Sequence, residues 1–457
     1  MEQRSPVDGR IDELVAFRAE VYASFTKRRD ALFELKDTLV ATSGTATQAP
    51  PHQSLEAVFR RGWGSAYGAL FHGRIAESSL RDALVAHRPK AWPTVFAVDT
   101  SSWARCDAEC SPERGFYHHP SRHSAGKPIV AGWNYSFIAQ LNFEKSSWTA
   151  PIEVRRIGPR EDTATVTASQ VREVVGRLGP VEEVPLFVFD AGYDPIGLSV
   201  DLAGVRCEVL CRIRSDRVFY SDAPIRQAGA KGRPPRHGAE LRLADQASLS
   251  EPARTTTGRD PTYGRIAVSA WSGVHPKLHG RGRWAGCDAP PIVRGWVIRV
   301  EVEHLPKPAG NGRVKKTLWL WWSGAGEPDL ERCWRAYLHR FDIEHSLRFF
   351  KGTLGWTTPR VRHPEQADRW SLLVIVAFNE LRLARGLVAD QRLAWEPPRD
   401  PARLTPNRVR RGFRQLLPVI GTPARPPKPT RAGPGRPKGS RRGPAQRYPA
   451  IKKSALR

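Results

Sequence analysis

Acidic residues are in short supply: 46 Asp and Glu stand against 72 Lys and Arg in 457 residues, a formal net charge of +26. So one-sided a field is matched by a polyanion, and nucleic acid is the expected partner. Methionine occurs once and cysteine six times. Six cysteines are too sparse for a disulfide framework in a chain of this length, so Cys106, Cys110, Cys207, Cys211, Cys287 and Cys333 read as reduced thiols. Cys106 and Cys110 followed by His118, His119 and His123 imitate a zinc site, but Cys207 and Cys211 fall in the strand-like run VRCEVLCRI, and packed or surface thiols are the preferred reading. Long apolar runs are missing as well. No stretch approaches the roughly 18–20 apolar residues of a membrane-spanning helix, and the opening MEQRSPVDGRIDE is polar where a signal peptide is apolar. A cytoplasmic location without a membrane partner is therefore expected.

The chain divides by pattern. Residues 1–90 form an expected helical, DNA-binding part: 11–40 carry apolar positions at helical spacing with no Gly or Pro, and a second helical stretch starts at Ser54. Its cations Lys27, Arg28, Arg29, Arg60 and Arg61 suit either a solvated face or DNA contact. Across 91–213 the order reads strand, strand, strand, helix, strand, helix, strand. The helix over EDTATVTASQVREVVGRLG is capped at Asp162 or Thr163 and stopped by Gly179. Residues 214–325 are rich in Gly, Pro and aromatic strands and read as a β-rich insertion. Helical patterning resumes over 326–390, from Asp329 to Phe350 and from Pro364 to Gly386. From Arg399 onward there are 17 Lys or Arg, eleven Pro and one acid, Asp400, so 391–457 reads as a disordered basic tail.

Two carboxylates sit where strands end, Asp99 after TVFAV and Asp190 after PLFVF. Asp at a strand end is as often a turn former as a functional group. Asp194 is an alternative to Asp190, but its place at a helix start suits an N-cap better. In YLHRFDIEHSLRFFK, Tyr337, Arg340, Glu344 and Lys351 fall at offsets 0, 3, 7 and 14. On one continuous helix these offsets form a stripe about 60° wide and about 21 Å long. The plain alternative is an exposed face with an ordinary Arg–Glu pair.

The spacing Tyr-x2-Arg-x3-Glu-x6-Lys after two strand-end aspartates resembles the signature of the DDE-class transposases of bacterial insertion sequences, the group with the YREK helix. The resemblance covers roughly residues 90–385 and implies an α/β fold: an RNase H-like mixed sheet with helices and a β-rich insertion. It implies Asp99, Asp190 and Glu344 as the metal-binding catalytic triad, holding two Mg²⁺ ions with Mn²⁺ as an acceptable substitute, because hard cations take carboxylate oxygens. Tyr337, Arg340 and Lys351 are implied to hold DNA phosphates. The implied activity is cut-and-paste transposition on double-stranded DNA by a homodimer, in the cytoplasm at the bacterial nucleoid.

Most of the fifteen tryptophans are expected in the core, and the resemblance implies that an aromatic residue of the insertion stacks on a base flipped from the DNA end. The segments at 231–238 and 433–443, the latter with Arg436 and Lys438, resemble minor-groove arms. Two further readings stay open: a decayed or domesticated copy that binds DNA without cutting, and an RNase H-like nuclease without strand transfer. The complete set of carboxylates and YREK residues speaks against the first, the insertion and the Tyr/Arg/Lys pattern against the second.

Overall fold

The computed structural model describes residues 6–42, 46–47, 49–118, 128–144, 146–226, 232–280, 282–305, 316–429, 435, 437–441 and 443–452. In chain order the first elements are α1 (Pro6–Ser24), β1 (Phe25–Lys27), α2 (Arg29–Ala41), α3 (Pro50–Gln53), α4 (Gly64–His72), β2 (Arg74–Ile75) and α5 (Glu77–Ala86). Then come β3 (Val95–Ala104), β4 (Gly115–His118), β5 (Ile129–Gln140), β6 (Ala150–Ile157), α6 (Thr163–Leu178), β7 (Leu186–Phe189), α7 (Pro195–Asp201) and β8 (Glu208–Ile213). The insertion supplies β9 (Val218–Tyr220), β10 (Glu240–Arg242), β11 (Arg254–Asp260), β12 (Gly264–Pro276), β13 (Gly295–Val302) and β14 (Thr317–Ser323). Last are α8 (Leu330–His339), α9 (Asp342–Gly352), α10 (Pro364–Ala384) and α11 (Pro406–Ile420).

The described residues belong to two units. One contains Met1–Pro93, Thr100–Glu161 and Asp342–Lys453. Its centre is α10, whose run WSLLVIVAF is apolar on every side and accordingly buried on every side. Helices α1, α2, α4 and α11 pack on α10, which itself lies on β6. Strand β5 pairs antiparallel with β6 and with β4. Trp103, Trp133, Tyr135, Phe137 and Trp356 form an edge-to-face aromatic cluster here, with centroids 5.1–6.1 Å apart.

The other unit contains Thr94–Asp99 and Asp162–Phe341. Its sheet has the order β10, β9, β12, β13, β14, β8, β7, β3, with β11 added on β12. Strand β7 is parallel to both β3 and β8, and all four of its residues are buried, as a parallel strand covered on both faces requires. Helix α6 begins where Asp162 accepts the Thr165 N–H at 3.0 Å and stops at Gly179, whose φ of 64° favours glycine, both as the sequence indicates. A second core fills the insertion, around Phe219, Trp271, Trp319 and Trp321. The large mixed sheet with helices packed on it is consistent with the α/β, RNase H-like fold expected from the sequence.

Four sequence expectations are corrected. The helix expected over 11–40 is broken: Phe25–Lys27 pairs with Arg74–Ile75 as a small ladder, and Arg28 takes a left-handed φ of 57° before α2 starts. The helix expected from Ser54 starts at Gly64, because Glu56, Arg60 and Arg61 turn to tertiary partners, Glu56 to Thr42 and both arginines to Glu34. The tail is not disordered throughout: Pro406–Ile420 is the amphipathic helix α11, burying Val409, Phe413 and even Arg408 and Arg410. The single helix expected over 329–350 is two helices, with the break at Arg340 and Phe341.

Candidate active site

Strands β3 and β7 set Val95 opposite Leu186, Phe96 opposite Phe187 and Ala97 opposite Val188. Continued by two residues, this parallel register brings Asp99 opposite Asp190, on neighbouring strands spaced about 4.8 Å apart. Apolar residues hold the strands in the core up to these positions, and both carboxylates emerge half-buried. The Asp190 Oδ1 accepts the Gly192 N–H at 2.8 Å, and a side chain at 192 would bring its Cβ to 3.1 Å from that oxygen, so glycine keeps the carboxylate clear. Asp194 accepts the Ile196 N–H as the N-cap of α7, the role its position suggested.

Arg340 comes to this edge from the end of α8. Its N–H donates to Tyr337 O at 3.2 Å, a tight closing turn, and its buried guanidinium stands 3.6 Å from Asp99 Oδ2. The same guanidinium lies 5.0 Å from the centroid of the exposed Phe341 ring. Tyr337 is buried as well. Burial pushes its phenol up, against the opposing pull of Arg212 and Arg340. Thus Asp99, Asp190, Tyr337 and Arg340 belong to one unit, with Arg212 on β8 added by the structure; its only sequence signal was a cation in the apolar run VLCRI.

Glu344 and Lys351 belong to the other unit, in the first and last turns of α9. Each is half-buried, and the Lys351 Nζ stands 5.7 Å from the Trp356 ring centroid. The break at Arg340 removes the basis for one continuous stripe through all four signature positions: a helical wheel does not carry across a turn. Tyr337 and Arg340 are instead interior groups at 3 % and 4 % exposure.

Asp99 lies inside β3, which runs on to Ala104, and not at the strand end that its apolar run suggested, whereas Asp190 does follow the end of its strand. These carboxylates suit a hard divalent cation, which takes carboxylate oxygens and keeps water ligands. Among the described residues no three His, Cys, Asp or Glu side chains are grouped to hold a metal ion. The zinc-like reading of Cys106 and Cys110 falls partly outside the described residues, since His119 and His123 do.

Other expectations fare variously. The insertion tryptophans Trp271, Trp296, Trp319, Trp321 and Trp322 are buried and Trp284 is half-buried, so packing occupies the set from which a stacking platform was expected. Among the N-terminal cations, Arg60 and Arg61 pair with Glu34, and the Arg29 Nε donates to Phe25 O, while Lys27 and Arg28 are exposed. Arg436 lies outside the described residues; Lys438 is exposed. In the other arm the Arg236 Nη2 donates to Pro290 O at 2.6 Å, which ties it to the insertion. No described helix is long and apolar enough to cross a membrane.

Comparison with curated proteins yields no match. The sequence profile of the DDE superfamily endonucleases, by contrast, matches residues 20–277, more than half of the chain and a span that includes Asp99, Asp190 and the strands that present them. With Asp99 inside β3 and Asp190 just past the end of β7 in parallel register, the chain belongs to the DDE superfamily endonuclease family.

Proposed function

We propose that this protein is a transposase that cuts double-stranded DNA at the ends of an insertion sequence and joins those ends to target DNA. Membership of the endonuclease family makes DNA the substrate and a divalent metal the general requirement. The observation that carries the finer reading is the pairing of Asp99 and Asp190 in register with Arg340 beside Asp99. Asp99, Asp190 and Glu344 are the residues that would hold the metal, with Mg²⁺ the proposed ion. Bound there, divalent metal activates the attacking hydroxyl and stabilises the leaving 3′-oxygen.

The chain's own groups do the rest. Strand β3 carries Asp99 within it and β7 presents Asp190 directly after its last residue, so little ordering is left for the moment of reaction. Arg340 offsets the charge of Asp99 and would lend its cation to a nearby DNA phosphate. Lys351, Arg436 and Lys438 add positive charge for the DNA backbone. Pairing of two element ends calls for a homodimer on DNA.

The test is cleavage of a labelled duplex carrying the ends of the DNA element that flanks the gene, with Mg²⁺ or EDTA, for wild type and Glu344→Ala. Metal-dependent nicking at the element boundary that disappears in the variant is expected. Binding of the ends without any metal-dependent cutting would overturn the proposal in favour of a DNA-binding protein that has lost its chemistry.

A further inference from the structure

Three arginines in the first unit converge on a cavity that none of the proposed catalytic groups lines. It measures about 580 Å³ and is bounded by Glu144, Ser146 and Ser147 from the loop between β5 and β6, by Arg385 at the end of α10, and by Arg399, Arg403 and Thr405 ahead of α11. The floor is rigid. Trp148 and Leu404 are each 1 % exposed, and the Trp148 Nε1 donates to Leu404 O at 2.8 Å.

Charge balance in this segment is uneven. Its acids serve other arginines: Arg408 is 2.9 Å from Asp390, and Arg411 is 2.8 Å from Glu396. Among the described residues no carboxylate stands at ion-pair distance from Arg385, Arg399 or Arg403, and the buried Arg385 Nε has no hydrogen-bond partner. Glu144 is the one acid on the wall, so the three guanidiniums leave a net charge of +2 there. The cavity also opens at the N-terminus of α11, a 15-residue helix whose N-cap residue Thr405 makes no capping hydrogen bond with its side chain. Planar guanidiniums, hydroxyls and the positive end of a helix are the donors that an anionic tetrahedral oxygen group uses.

We propose that this cavity binds a backbone phosphate of duplex DNA, as an anchoring point separate from the carboxylates. The inference rests on the DNA substrate of the proposed function. Its place on a rigid floor beside a folded helix distinguishes it from the diffuse attraction of a basic tail.

The experiment measures equilibrium binding of the full-length protein to a short labelled duplex in EDTA, as a function of salt. Arg399→Gln/Arg403→Gln is compared with Arg414→Gln/Lys428→Gln, a pair of exposed cations off the cavity that removes the same charge. The cavity pair should flatten the slope of log K against log salt by about 1, the loss of one phosphate contact. The control pair should leave the slope near wild type. Equal effects of the two pairs, or none from the cavity pair, would overturn the proposal. So would a thermal shift with inorganic phosphate that is lost in the cavity pair while its DNA slope stays at wild type, since the site then serves a free anion. Absence of duplex binding by the wild type would instead bring down the proposed function itself, and this inference with it.

Discussion

The Arg340 guanidinium stands 3.6 Å from the Asp99 carboxylate, and Arg340 is 4 % exposed. A buried cation held against Asp99 positions that carboxylate, at the cost of desolvating the guanidinium. Arg340→Gln removes the charge but retains bulk and hydrogen-bonding capacity. It should lower stability by about 1–3 kcal/mol in urea unfolding, the cost of leaving a partly buried acid without its partner, and it should abolish DNA cleavage. Arg340→Lys should restore part of the stability. Wild-type stability in Arg340→Gln would mean that the contact with Asp99 is idle.

The two acids of DAGYD have separate jobs. Asp190 continues the β7 register opposite Asp99, while Asp194 caps α7 through the Ile196 N–H. Asp194→Ala should therefore lower stability by about 1 kcal/mol, the usual cost of a lost N-cap, and leave metal-dependent cleavage measurable. Asp190→Asn should do the reverse, keeping stability and DNA binding while cleavage is lost. Cleavage by Asp190→Asn at the wild-type rate, with none by Asp194→Ala, would exchange the two assignments.

The elements around the candidate site were legible where they follow local rules. The apolar run ending at Asp190, the Asp162 cap and the Gly179 stop all depend on neighbours in sequence and are found where the pattern placed them, whereas β3 runs past Asp99 to Ala104. What was not legible depends on distant partners. No Gly or Pro marks the break at Arg340, where the chain turns with the guanidinium facing Asp99, 241 positions away in the sequence. Nor does composition reveal α11: its Arg410 Nε donates to Leu39 O at 2.8 Å inside the first unit, so a basic, Pro-flanked segment is held by packing that its own residues do not announce.

The cysteines divide by exposure. Cys106 and Cys287 are exposed and Cys110 is half-buried, whereas Cys207, Cys211 and Cys333 are buried. Burial, with Glu208 adding to it against the pull of Arg172, pushes the Cys207 thiol up to about 12; burial pushes Cys211 and Cys333 well up too. Titration with a thiol-specific disulfide reagent near pH 8 should find Cys106 and Cys287 reacting fast, Cys110 more slowly, and the other three only after unfolding. Fast labelling of Cys211 in the native protein would contradict the packing around β8.

Four charges are sealed inside the first unit. Arg18 of α1 pairs with Asp37 of α2 at 2.9 Å and with Glu380 of α10, and Lys36 contacts both acids at 2.5 Å, with every side chain at 5 % exposure or less. Two cations and two carboxylates balance, which is what makes burial tolerable. Burial raises the Asp37 pKa, but Arg18 and Lys36 outweigh it, so the folded value lies below the ordinary one. A carboxylate with a depressed folded pKa adds stability that is fully present above its unfolded pKa of about 3.9 and is lost as pH falls through the folded value. The urea midpoint should therefore drop as the medium is taken below about pH 4. Asp37→Asn should cost about 3–5 kcal/mol at neutral pH, because it strands a buried cation, and should flatten the acid limb. An acid limb unchanged in the variant would show that other carboxylates, outside this cluster, govern acid unfolding.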